Sequence, residues 1–267
     1  MCLFASAADV ILDIFGVFPS NEDFSPVGPI RAVDTRVDGS RVAAGSTLTV
    51  NVGAGYANKS ISVNLAVTDA SGAGFAALYA CDQPRPATSS LNYQPGQAIA
   101  NGVITKVSST GTVCVYSHQA ADVILDIFGV FPSNEDFSPV GPIRVVDTRR
   151  NGSRVAAGST LTVNVGAGYA DKSISVNLAV TDASGAGFAA LYACDQPRPS
   201  TSSLNYQPGQ AIANGVITKV SSTGTVCVYS HQAADVILDI FGVFPPKMTR
   251  VPVGGMPSEI PTDPQPR

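Results

Sequence analysis

Few side chains in this chain could do chemistry. Its only histidines are His118 and His231, and glutamate occurs only at Glu22, Glu135 and Glu259. A hydrolytic set could be drawn from Ser108 or Ser117 with His118 and Asp122. Adjacent Ser117 and His118 would point to opposite faces of a strand, however, and no Gly-x-Ser-x-Gly elbow accompanies them. A carboxylate pair for glycoside cleavage would have to consist of aspartates alone. Thr68 to Gly72 and Asp82 offer oxygen ligands, but too sparsely for a calcium loop. The expectation is no catalytic residue, no cofactor, no metal site and no enzyme.

The five cysteines are more informative. Cys81 and Cys114 are separated by the same interval as Cys194 and Cys227, each following an apolar run, and the natural expectation is one disulfide per pair with Cys2 left unpaired. A bridge closing about 34 residues contributes roughly 3 to 4 kcal/mol by the loop-entropy argument. It also requires an oxidising compartment. Two cysteines and one histidine per unit are too few for a structural zinc site.

The element that positions these residues is a repeat. Ala-Asp-Val-Ile-Leu-Asp-Ile-Phe-Gly-Val-Phe-Pro occurs at 8–19, 121–132 and 234–245, a period of 113 residues. Residues 20–132 and 133–245 then form two complete units. They differ only at Ala32/Val145, Val37/Arg150, Asp38/Asn151, Asn58/Asp171 and Ala87/Ser200. Residues 1–19 match the last strands of a further unit, so the chain is expected to be a fragment of a longer array or to start at an internal Met. Residues 246–267 read as a Pro-rich extended tail.

Within a unit the pattern is that of strands. Leu48, Val50 and Val52 alternate with Thr49 and Asn51, and Ile61, Val63, Leu65 and Val67 alternate with Ser62, Asn64, Ala66 and Thr68. Turn residues punctuate at Asp38-Gly39, Gly53-Ala54-Gly55, Ser71 to Gly74, Pro95-Gly96 and Ser109 to Gly111. The expected fold is all-β, two tandem antiparallel β-sandwich domains with Greek-key-like connections. Val123 to Phe128 is apolar on both faces except at Asp126, which suits a central strand. A carboxylate there needs a cation, and the expectation is an ion pair of Arg36 with Asp126, repeated as Arg149 with Asp239.

Composition narrows the partners. With 13% charged residues, net charge −4 and no Lys/Arg cluster, nothing in the chain suits a nucleic-acid backbone. There is no apolar stretch long enough to span a membrane as a helix. Tryptophan is absent, which leaves Tyr93 and Tyr206, beside Pro-Gly turns and flanked by Asn92 and Asn205, as the candidate ligand-binding residues for a glycan or cell-wall polymer. Residues 9–19, which duplicate a strand without the rest of its unit, are a candidate for self-association by strand exchange.

Three motifs together carry a resemblance. Pro29-Ile30-Arg31-Ala32-Val33-Asp34-Thr35-Arg36, then Ser90-Leu91-Asn92-Tyr93 with Pro95-Gly96-Gln97, then Cys114-Val115-Tyr116-Ser117 with Asp126 to Phe131, resemble a tandem repeat module of secreted and cell-surface actinobacterial proteins. The resemblance covers residues 24–132 and 137–245. It implies an extracellular or cell-surface location without an established activity, and it places the Val-Ile-Leu-Asp strand last in the unit. The expected function is a non-catalytic structural or interaction array, a surface spacer or adhesin-like protein. The alternative is a carbohydrate or cell-wall-polymer binding module accompanying an exported hydrolase.

Overall fold

The computed structural model describes residues 12–14, 16–18, 23–132, 134 and 136–245. Cys2 and the expected tail at 246–267 lie outside the described residues.

The alternating segments form eight strands per unit. In the first unit these are β1 (Ser25–Asp34), β2 (Ser46–Asn51), β3 (Ser60–Thr68), β4 (Gly74–Ala80), β5 (Leu91–Tyr93), β6 (Ile99–Lys106), β7 (Thr112–Ser117) and β8 (Asp122–Phe131). The second repeats them as β9 (Ser138–Asp147), β10 (Ser159–Asn164), β11 (Ser173–Thr181), β12 (Gly187–Ala193), β13 (Leu204–Tyr206), β14 (Ile212–Lys219), β15 (Thr225–Ser230) and β16 (Asp235–Phe244).

Strand order identifies the sandwich. One sheet runs β1-β8-β3-β6 and the other β2-β7-β4-β5, all antiparallel, and the second unit repeats both orders. Two interleaved four-stranded sheets of this order are a jelly roll, a specific form of the Greek-key sandwich that the alternation predicts. Ile61, Val63, Leu65 and Val67 of β3 face Val113 and Val115 of β7 across a buried core, and the second unit has an equivalent core of its own. Strand β8 comes last and lies between β1 and β3. The repeats alone left open whether this strand begins or ends the unit.

Both expected disulfides are present, Cys81–Cys114 and Cys194–Cys227, each closing the same 33-residue separation. Asp34 caps the short helix α1 (Thr35–Asp38), and Gly39 closes it at φ 72, a left-handed conformation that glycine adopts without strain.

Strand β8 carries a bulge at Phe128, where its register against β3 shifts between Val63–Ile127 and Ser62–Gly129. The bulge turns the bare side of Gly129 towards Phe24. A Cβ there would stand 2.2 Å from Phe24 Cζ, and in the second unit a Cβ on Gly242 would stand 2.1 Å from Phe137 Cζ.

Of the expected strand remnant, residues 12–14 and 16–18 are described and carry no strand. Leu12, Ile14 and Val17 are exposed, whereas Leu125 and Ile127, the copies of Leu12 and Ile14 within β8, are fully buried.

Candidate functional site

The ion pair at the central strand is real, but its cation is not the expected one. Arg31, directly opposite Asp126 in the β1–β8 register, donates from Nε to Asp126 Oδ1 at 2.5 Å and from Nη2 to Oδ2 at 3.3 Å. Arg144 grips Asp239 in the same way at 2.8 and 2.9 Å. Arg36 and Arg149, the residues expected from sequence, turn back onto Asp34 and Asp147 at the strand end. The reason is register: Arg31 lies in the paired part of β1, while Arg36 lies beyond it in α1. The hydrogen bond from Arg36 lowers the Asp34 carboxyl from its ordinary 3.8 to about 2. Arg149 holds Asp147 low by the same contact.

Tyr93 and Tyr206 are corrected as well. They are 1% and 2% exposed, because β5 and β13 point them into the sandwich. The Tyr93 hydroxyl lies 2.8 Å from Ser117 Oγ and accepts the Gln119 N–H at 3.0 Å. Tyr206 repeats this with Ser230 and Gln232. A ring held this way has no face to offer a ligand. Their neighbours Asn92 and Asn205 keep solvent contact, and Asn92 lines a small cleft between the units together with Phe75, Arg144 and Arg149.

The hydrolytic set does not assemble. Ser117 is buried on the inner face and bonded to Tyr93, while His118 is exposed and stacks on Phe75 with ring centroids 5.3 Å apart. Asp122 is occupied by Thr35 Oγ1 at 2.8 Å and Arg41 Nη1 at 2.6 Å. Among the described residues no group of three or more His, Cys, Asp or Glu could hold a metal ion.

The sequence reading missed an aromatic stripe on the outer face of the β2-β7-β4-β5 sheet. His118 stacks on Phe75, Phe75 lies 5.7 Å from Tyr116, and the Arg85 guanidinium sits 4.0 Å from the Tyr116 ring centroid. The second unit repeats the stripe with His231, Phe188, Tyr229 and Arg198. The signal was the same two-residue alternation that predicted the strands: Phe75 and Tyr79 on β4, with Tyr116 on β7 and His118 just after it, share one face. Beside the stripe opens a cleft of about 640 Å³ between the units, lined by Tyr79, Arg85 and Lys106 on one side and by Ser138, Pro139 and Phe241 on the other.

The units meet in an asymmetric joint. Asn101 Nδ2 on β6 donates to Asn177 Oδ1 on β11 at 3.0 Å, and Asn101 Oδ1 accepts the Gly215 N–H. Asn177 Nδ2 donates to the Ser89 carbonyl at 3.0 Å. The copies of these residues in the other unit are Asn214 for Asn101 and Asn64 for Asn177, so two different surfaces of the same sequence form the contact. The β5–β6 end of the first unit is thereby seated on the outer face of the β14-β11-β16-β9 sheet of the second. An aromatic cluster of Phe18, Phe24, Phe131, Phe137 and Phe244 closes the joint at its side.

No protein-family model matches the chain, and no curated protein matches it. Among solved structures it is similar to the STIV MCP, at 7% identity over 84% of this chain and 96% of that one, with a TM-score of 0.32. It is similar also to the CBM22-1–CBM22-2 tandem domain from Paenibacillus barcinonensis Xyn10C, at 12% identity, 76% and 84% coverage and a TM-score of 0.21. The PBSX exported protein XepA is another, at 11%, 85% and 89%, with a TM-score of 0.27. Scores this low leave the strand order described above as the ground for the fold.

Proposed function

We propose that this chain is a non-catalytic, extracellular structural and interaction protein, a surface spacer or adhesin-like array of jelly-roll units. The observation that carries the reading is the joint. Asn101 and Asn177 are buried and satisfy each other, Ser89 and Gly215, so the units are held at a set angle instead of being strung on a tether. The two disulfides belong to a protein folded in an oxidising compartment. Among the described residues no helix is long and apolar enough to cross a membrane. Small-angle scattering tests the rigid joint. A single conformation should account for the profile, and a profile that requires freely pivoting units sinks the spacer reading.

The second reading is binding of a carbohydrate or cell-wall polymer, as part of a system that includes an exported hydrolase. It is favoured by the stripe of Phe75, His118, Tyr116 and Arg85, which presents ring faces and a cation beside the 640 Å³ cleft and occurs in both units. Two such surfaces on one rigid chain would raise the affinity for a polymer well above that of either alone. Titration with purified cell-wall polysaccharide should show saturable binding lost in Arg85→Ala with Arg198→Ala. Unchanged binding in that variant rejects the stripe.

A further inference from the structure

Three phenylalanines at the same position of the repeat converge on one point. Phe18, Phe131 and Phe244 are successive copies, and their ring centroids lie 5.5 Å (Phe18–Phe131), 5.8 Å (Phe131–Phe244) and 5.7 Å (Phe18–Phe244) apart. In a linear stack the first and third copies would lie about twice as far apart as neighbours. Here the triangle is nearly equilateral, as it would be if each unit were related to the next by a rotation of about 120° with little translation. The surrounding contacts obey the same operation. Phe18–Phe24 at 5.0 Å, a contact between successive copies, repeats as Phe131–Phe137 at 5.3 Å.

A heterologous contact whose rotation closes generates a ring, and one that does not close generates a filament. The joint is heterologous, and a rotation of about 120° closes after three steps. Two of the three positions around the axis are filled by complete units, and at the third lies Phe18 with the exposed apolar side chains of Leu12, Ile14 and Val17 nearby in the chain. We propose that the third position around the axis takes a further copy of the same repeat, so that the working assembly is a closed ring of three jelly rolls around the phenylalanine triangle.

The surfaces left open fit this occupant. On the second unit the outer sheet face is covered by the first, and Phe241 is 5% exposed; its copy Phe128 on the first unit is 40% exposed. Conversely, Asn101 is buried in the joint while its copy Asn214 keeps solvent contact. The first unit therefore presents an open socket and the second an open plug, each with the residues that already make the existing joint. One more repeat would fill both at once.

The test extends the existing chain by placing residues 20–121 directly ahead of Asp9, so that these residues and 9–19 together spell a third full repeat while everything that follows is kept. Protection of six cysteines from alkylation confirms that three units have folded. Hydrogen exchange then reads the Gly102 amide, the copy of Gly215, whose N–H is bonded to Asn101 in the present joint. The expected result is a monomer in which Gly102 becomes as slow as Gly215, with a scattering envelope of three-fold outline. Exchange at Gly102 unchanged from the two-unit chain, or an elongated envelope, overturns the ring. If the added unit does not fold, the present chain decides through a double-mutant cycle of Phe18→Ala and Phe244→Ala. Melting-point shifts that fall short of additivity support the triangle, and strictly additive shifts overturn it.

Discussion

Arg144 holds Asp239 through two hydrogen bonds of 2.8 and 2.9 Å, and the first unit covers the pair so that the Asp239 side chain is 1% exposed. The identical pair Arg31–Asp126 has no such cover, and its carboxylate is 17% exposed. Removing the cation should therefore cost unequally. Arg144→Ala strands a buried carboxylate and is expected to destabilise by about 3 to 5 kcal/mol, while Arg31→Ala leaves Asp126 access to water and costs less. Chemical denaturation of the two variants measures the difference, and equal losses would show that the neighbouring unit does not shield Asp239.

Gly242 exists in its present form because Phe137 lies where its Cβ would be. Gly242→Ala should destabilise by about 1 to 3 kcal/mol through overpacking. Adding Phe137→Ala removes the obstruction, so the double variant should lose less than the sum of the two single changes. Additive losses in urea unfolding would place the strain elsewhere.

Acid should weaken the fold through Asp34. Its carboxyl is held at about 2 by Arg36 against an ordinary 3.8, so the unfolded chain binds this proton more readily than the folded one. The stabilisation is fully present above 3.8 and is lost as pH falls towards 2. Asp34→Asn keeps a capping side chain but removes the titration, so its melting point should fall less steeply across that window. A slope identical to that of the parent chain would exclude Asp34 as a source of the acid sensitivity.

Each disulfide closes a loop between the sheet's strand β7 or β15 and the residue following β4 or β12. Reduction should cost roughly 3 to 4 kcal/mol per unit. Calorimetry with and without reductant should show both units melting at lower temperature. A melting point unmoved by reductant would mean that the cores alone sustain the fold.

A chain lacking residues 1–19 loses the exposed Leu12, Ile14 and Val17 together with Phe18. It should self-associate less than the full chain in sedimentation velocity at matched concentration. Equal association would remove this segment as the adhesive element.

The sequence carried the architecture in its period and alternation, but it could not carry the partners of individual side chains. Arg31 and Arg36 belong to one motif, and only the bulged register of β1 against β8 decides which of them meets Asp126. Tyr93 sits one residue before Gln94 and a Pro-Gly turn, which suggests exposure, yet the three-residue strand β5 aims it at Ser117. The two-faced apolarity of β8 was legible, but its reason was not. One face fills the sandwich, and in β16 the other receives a neighbouring unit, a surface that no single repeat contains.

Because every copy carries both the socket around Asn64 or Asn177 and the plug around Asn101 or Asn214, the joint is inherited with the repeat. Unequal recombination that adds one period to the two complete units of this chain would join an old copy to a new one without designing a fresh contact. The near-identity of the two units is then a working constraint as well as a trace of duplication. A change fixed in one copy alters the surface it gives to one neighbour and the surface it takes from the other, so drift in a single unit is opposed from two sides.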